Sequence, residues 1–293
     1  MATRRHGRPR LRIRAAQPGD RRAVRALCAR IWSDDYVPRA FDTWVRDREG
    51  RLWVATLDRQ VIGIAKLTLS RDREAWLHGL RVDPRYRRRG VATALLQHRL
   101  ERSRRLGARV ARLDTAEDNI AVHRLMRRFG FHRIARVSHY SAQASPGERP
   151  RLATRGELAE VWRILRDRRA MLYEAHFVRS LVRDDVIEAI REGRCHVTGP
   201  PRGVSAAAVV RHVRDREHGS RLLAEALAGT PTGVRRLLRG LRAEAKAQRL
   251  SRAGIAAPAP QWRIATDAGY RRRWPETMFV FERRLSLRSR IQP

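Results

Sequence analysis

The stretch "LRVDPRYRRRGVATALLQHRL", residues 80–100, decides the fold. A strand-like run ends at Pro84, four arginines fall between Arg85 and Arg89, and Gly90 opens an apolar helical pattern that stops at Gly107. A strand passing through a loop into a helix brings free backbone N–H groups and the positive end of the helix dipole to one point. Gly90 and Ala92 let a ligand approach the backbone, and the adjacent arginines add charge where a pyrophosphate would lie. The pattern Arg87-x-x-Gly90-x-Ala92 therefore predicts an anion cradle. The competing reading is a basic patch for nucleic acid.

Composition argues against that competitor. The chain has 293 residues and a formal charge of +35, which alone would suggest a polyanionic partner. Yet of 65 basic residues only Lys66 and Lys246 are lysine, and the arginines are spread along the whole chain. A phosphate-backbone surface uses both cations, so the bias reads as a GC-rich coding preference spread over solvated faces. Specific nucleic-acid binding is not expected, although weak association with polyanions at low salt is. A hydrophobic fraction of 42% with seven tryptophans fits a globular chain able to bury a core in each of two domains. No apolar run approaches the roughly 20 residues that span a bilayer, and the basic start lacks an apolar signal core. Cys28 and Cys195 lie far apart without metal spacing and read as buried thiols in a reducing cytoplasm, with no metal site.

Along the chain two halves share one grammar. Residues 1–10 read as a basic disordered tail, 11–143 as the first domain, 144–151 as a Ser/Pro/Gly linker and 152–288 as a second domain. The first domain runs strand, helix (with Asp20 as a plausible cap), two strands around Asp58–Gln60, a fourth strand "EAWLHGLRVDP", the helix after Gly90, a fifth strand "RVARLDT", a helix opened by Asn119 and closed at Gly130, and a last strand. The second half repeats this faintly, with Gly233 to Gly269 echoing Gly90 to Gly130. The fold class expected is α/β (α+β), each domain a mixed, mostly antiparallel sheet flanked by helices.

Residues 80–96 resemble the acetyl-CoA-binding segment of the GNAT N-acetyltransferases, and "NIAVHRLMRRFGF" resembles that family's next segment. The likeness covers residues 11–143 strongly and the remainder in outline, implying two tandem GNAT-like domains. Locally the first domain resembles members that acetylate the α-amine of free histidine. The resemblance implies that the backbone of Leu80, Arg81 and Val82 holds the acetyl and pantetheine groups between splayed strands. It implies that Arg87, Arg88, Arg89, Gly90, Val91, Ala92 and Thr93 form the pyrophosphate loop, and that Asn119 contacts acetyl-CoA.

Acetyl transfer to an amine needs a neutral nucleophile and help for the leaving thiolate. His78, on the strand before the cofactor segment and with the parity of Leu80 and Val82, is one candidate base; Asp114, at the end of the next strand, is the other. Each is also readable as a structural residue, a packed strand histidine or a turn cap. The tyrosine acid usual in the family would fall at Met126, which cannot donate a proton; water or Tyr140 could take that part. "SDDYVPRAFDTW" stands where the family builds the acceptor wall, with Asp35 to attract an ammonium and Tyr36, Trp44 and Trp76 as aromatics. The alternative for these is a cap and a core. Arg81 could pair a substrate carboxylate. In the second half the matching loop reads "GTPTGVRRLL", with Thr230 in place of the arginine, and the cradle is expected to be lost.

The expected function is acetyl transfer from acetyl-CoA to a primary amine of a small molecule such as a free amino acid, in the cytoplasm and without membrane contact; a homodimer is compatible. Alternatives are acetylation of a protein N-terminus or lysine, a tandem-domain role like mycothiol synthase, and a pseudoenzyme serving as a binding module.

Overall fold

The structure, a computed structural model, describes residues 10–70, 72–166, 171–174, 177–215 and 219–286. The expected basic tail lies almost wholly outside them. The chain forms two compact units, one of residues 1–113, 123–132 and 282–293, the other of residues 114–122 and 133–281.

The first unit begins with β1 (Arg12–Ala15), a 3-10 turn at Pro18–Asp20, α1 (Arg21–Ala29) and α2 (Val37–Arg46). There follow β2 (Leu52–Leu57), β3 (Gln60–Leu69), β4 (Glu74–Val82), a 3-10 turn at Pro84–Tyr86, α3 (Val91–Arg105) and β5 (Val110–Ala116). Next come α4 (Ile120–Arg128) and β6 (His132–Gln143); β5 and α4 cross the boundary between units. Strands β1 to β4 pair antiparallel in order, and β5 adds to β4 in parallel. Residues 33–44, read from sequence as an acceptor wall, are largely helix. Pro38 sits in the first turn of α2, and Val37, Phe41 and Trp44 at i, i+4 and i+7 fill the core with α1. Asp20 does not cap α1 with its side chain; its carboxylate takes the Gln17 N–H at 2.8 Å and the Arg14 guanidinium at 2.7 Å.

In β4 the pairing Lys66–His78 is followed by Ile64–Arg81, so β4 carries one extra residue between them. Gly79 makes the bulge with φ +63° and would bring a Cβ within 2.7 Å of the Trp44 ring. The bulge breaks the alternation of the strand. His78 and Arg81 face α1 and α2, whereas Leu80 and Val82 pack against Val91 and Leu95 of α3. The sequence reading gave His78 the parity of Leu80 and Val82; the extra residue reverses it.

The second unit contains β7 (Arg151–Leu152), a 3-10 turn at Arg155–Glu157, α5 (Leu158–Arg166), the hairpin β8 (Met171–Glu174) and β9 (Phe177–Ser180), and α6 (Arg183–Arg191). It continues through β10 (Cys195–Thr198), β11 (Ala206–Asp215), β12 (Gly219–Gly229), α7 (Pro231–Ala247), β13 (Arg252–Pro258), a 3-10 turn, α8 (Trp262–Asp267) and β14 (Arg271–Arg272). Strand β15 (Met278–Arg284) crosses back to the first unit's residues. Strands β10 to β12 are antiparallel and β13 joins β12 in parallel, the same order of pairing as β2 to β5. An arginine six residues before an acid closes the first turn in both units: Arg14–Asp20 in one, Arg151–Glu157 in the other. The stretch read as a linker is held down, Ala144 N–H donating to Ser251 O and Glu148 pairing with Arg236 of α7. Hairpin β8–β9 and helix α6 were not foreseen.

Both cysteines are buried and free. Among the described residues no helix is long and apolar enough to cross a membrane, and no cluster of three His, Cys, Asp or Glu could hold a metal.

Gly79→Ala should lose about 2–4 kcal/mol in urea unfolding, from a left-handed backbone forced on alanine plus the collision with Trp44. Unchanged stability would mean that the bulge is not a constrained element.

Candidate active site

Strands β4 and β5 pair over Glu74–Trp76 against Val110–Arg112, and β4 then continues to Val82. The pairing ends where a cofactor-holding gap was expected, and Leu80, Arg81 and Val82 lie on the continuation. Behind the pairing, Arg112 binds both Glu74 and Glu282, so the strands are tied where they still run together.

Asp83 anchors the turn after β4. Its fully buried carboxylate accepts the Arg85 N–H at 3.0 Å, the Arg85 guanidinium at 2.9 Å and the Arg30 guanidinium at 2.8 Å. Hydrogen bonding by Arg85 pulls its pKa down to about 2, against the opposing cost of burial. Gly90, at φ +78°, is the helix N-cap, and the first helical bond runs from Ala94 N–H to Gly90 O. The N–H groups of the first turn thus have no acceptor within the helix. A Cβ on Gly90 would meet nothing within 4 Å, and Arg87, Arg88 and Arg89 are exposed beside it, while Val91 is buried and Ala92 and Thr93 half-buried. These features fit a pyrophosphate: open space over the loop, unclaimed helix amides and surrounding guanidinium groups.

The matching helix end in the second unit is closed. Thr230 Oγ1 accepts the Gly233 N–H at 3.1 Å, Pro231 supplies no N–H, and a Cβ on Gly233 would fall 2.8 Å from Ser205. A helix end so capped has none of the open space found over Gly90.

Around His78 the first unit gathers several groups named from sequence. Trp44 meets the His78 ring edge-on at 4.9 Å and Tyr36 at 5.8 Å. His78 Nε2 lies 2.9 Å from Thr68 Oγ1. Asp35 is buried, and its carboxylate takes Arg81 Nε at 2.7 Å, Arg81 Nη2 at 3.0 Å and the Val37 N–H at 3.0 Å. The Asp35 carboxyl stays below its usual range despite burial, because Arg81 and that N–H bind its charged form. Asp35 as receiver of a substrate ammonium, and Arg81 as partner of a substrate carboxylate, are therefore corrected: each neutralises the other. Trp44 and Trp76 are buried, which makes them core rather than an open wall. Trp32, in the connection after α1, is 54% exposed, with the Arg81 guanidinium 4.5 Å from its ring.

Asp114 and Asn119 belong to the other compact unit. Asp114 retains solvent contact, yet the protein packed around its carboxyl desolvates it and pushes its pKa up to about 6. Asn119 caps α4: Oδ1 accepts the Val122 N–H at 3.3 Å and Nδ2 donates to Thr115 Oγ1 at 3.1 Å. Its side chain is engaged locally rather than held open for a ligand. Met126 is buried in the first unit's interior, so no acid stands there.

Sequence reading missed Gly79, Asp83, Lys66, Thr68, Arg99 and Trp32. A glycine inside a strand pattern signals a bulge, and Asp before Pro signals a turn. The remaining four carry no local signature.

The profile of the Acetyltransferase (GNAT) family matches residues 21–131. The uncharacterized N-acetyltransferase YafP of Escherichia coli K12 is 30% identical over 137 residues, which cover 42% of this chain and 83% of YafP. The chain belongs to the GNAT family. It is an acyltransferase, an acetyltransferase of the GNAT type, and the match spans the bulge, the Asp83 turn and the Gly90 loop. Over nearly its full length the chain shares the fold of two solved structures. A GCN5-related N-acetyltransferase from Sphaerobacter thermophilus has a TM-score of 0.64 at 12% identity, covering 94% of this chain and 96% of that one. A protein from Thermoplasma acidophilum, provisionally assigned as an acetyltransferase, has a TM-score of 0.61 at 18% identity, covering 93% and 99%.

Because the folded pKa of Asp83 is depressed, its contribution to stability is complete above about pH 4 and is lost as the pH falls toward 2. Asp20, Asp35 and Glu157 shift in the same direction, so the comparison must be with a variant. Asp83→Asn should cost about 1–3 kcal/mol at neutral pH and flatten the acid limb of the stability curve. Parallel curves for the two proteins would contradict the clamp.

Proposed function

We propose that the enzyme transfers the acetyl group of acetyl-CoA to a primary amine of a small molecule, using the first unit. One observation carries this reading: the open, uncapped start of α3 at Gly90 lies directly after a β4 segment that continues past its pairing with β5. Acetyl-CoA supplies the activated thioester. The first-turn amides and Arg87–Arg89 would bind its pyrophosphate, and the Leu80–Val82 backbone would align its pantetheine arm. The name of YafP, an N-acetyltransferase, supports an amine as acceptor.

A free α-amine with a pKa of about 8 is partly protonated at neutral pH, so a histidine suffices to hold it neutral or take its proton during attack. We assign that task to His78, half-buried on the side of β4 that faces Trp44 of α2. Asp114 is the second candidate, by its raised pKa. No side chain at Met126 can protonate the leaving thiolate, but a thiol pKa of about 8.5 makes it an adequate leaving group with solvent as the acid. The second unit we read as a GNAT-like copy that has lost its cradle, on the repeated strand order and the Thr230 cap.

Acetyl-CoA at 100 times its Kd should stabilise the protein by about 2.7 kcal/mol, read as a rise in Tm. Gly90→Glu, which places a carboxylate in the open space over the loop, should abolish that rise. No rise in the unaltered protein would refute the cofactor assignment. Thiol release against amino acids, polyamines and peptides then identifies the acceptor; release with peptides alone would refute the small-molecule reading. His78→Gln and Asp114→Asn separate the two bases.

A further inference from the structure

We propose that Lys66 and Thr68 are positioning residues that fix the tautomer of His78, keeping Nε2 as the unprotonated, proton-accepting nitrogen. The inference rests on His78 being the base. Its starting point is a composition that uses arginine almost everywhere: only two of 65 basic residues are lysine. Lys246 is exposed at the end of α7, whereas Lys66 is 1% exposed inside β3. A buried lysine in such a chain marks a place where a compact point cation fits and a planar guanidinium does not.

The contacts of Lys66 show what the compact cation does. Its ammonium donates to the Asp47 carboxylate, to Leu67 O and, at 3.2 Å, to Thr68 Oγ1. Three donors meet three acceptors, and an ammonium can only donate. Thr68 Oγ1 therefore accepts from Lys66, and its one hydroxyl proton remains for His78 Nε2 at 2.9 Å. If Nε2 carried a proton instead, the hydroxyl would accept twice and its own proton would need another acceptor. Among the described residues, Thr68 Oγ1 has no third partner. The proton of neutral His78 then falls on Nδ1, which is buried and meets no hydrogen-bond acceptor among the described residues, so the Lys66–Thr68 chain alone must hold the tautomer.

The surroundings favour the neutral ring. Lys66 faces it from β3, tempered by Asp47 after α2. The buried Arg99 of α3 donates to Lys66 O at 3.1 Å and His78 O at 3.3 Å. Arg81, farther along β4, is neutralised by Asp35 of the α1–α2 connection, and Trp44 of α2 presents an apolar edge. A hydrogen bond donated to Nε2 and a nearby cation both stabilise uncharged imidazole. That leaves Nε2 placed to take an amine proton as the Thr68 bond gives way.

The test reads the tautomer without substrate, by NMR of the full chain carrying isotope-labelled histidine, with His78→Gln to identify the signals. We expect the Nδ1–H tautomer in the unaltered protein. Thr68→Val should mix the tautomers and raise the His78 midpoint by about 0.5–1 pH unit. Thr68→Ser should restore the original state, and Lys66→Met should raise the midpoint. With the acceptor found by thiol release, the acid limb of kcat/KM should move with the midpoint. An Nε2–H tautomer in the unaltered protein, or a Thr68→Val midpoint and tautomer that do not move, overturns the proposal. Full activity of His78→Gln would instead refute His78 as base while leaving the tautomer result standing.

Discussion

The arrangement of the first unit depends on one extra residue in β4. Without the bulge at Gly79, β4 would alternate regularly, and His78 would share a face with Leu80 and Val82. With it, the strand presents His78 and Arg81 to the two helices on one side and Leu80 and Val82 to α3 on the other. The conformation requires a left-handed residue with no Cβ under the Trp44 ring, a demand that only glycine meets without strain. Two buried cations brace it: Lys66 from within β3 and Arg99 from α3, the latter holding carbonyls of both strands. Burial lowers the pKa of Arg99 to about 9, which still leaves it charged at neutral pH.

The loop beyond β4 is fixed by different means. Asp83 gathers two guanidinium groups and a backbone N–H into a dry turn, so the arginines that follow start from a rigid point. Of the four arginines in that loop, Arg85 serves the turn, while Arg87, Arg88 and Arg89 remain at the surface beside the helix start. One basic run thus contains a structural part and an exposed part, and the carboxylate before the proline separates them. The second unit keeps the sheet grammar without this division, because Thr230 satisfies the helix end internally.

Much of the fold was legible because it is written in local signals. The strand–Pro84–Gly90–helix order, the Asn119 start of α4 and its glycine end all follow from turn and cap chemistry. Helix α2 escaped because Asp35, Tyr36 and Trp44 looked like a binding wall; the spacing of Val37, Phe41 and Trp44 at i, i+4 and i+7 was the overlooked cue. The site was legible in its backbone part and not in its side-chain part. Gly90 and Ala92 advertise a cradle within six residues, whereas the partners of Asp35, Lys66 and His78 lie 10 to 46 positions away in sequence. Such pairings depend on register, and a single bulge was enough to reverse the expected face of His78.

The central claim is that acetyl-CoA binds the first unit through the end of β4 and the start of α3. Hydrogen–deuterium exchange with and without acetyl-CoA tests it most directly. The account predicts slowed exchange over residues 80–93 and none over residues 226–234, the corresponding stretch of the second unit. Protection confined to residues 226–234, or saturating binding with no change over residues 80–93, would contradict it.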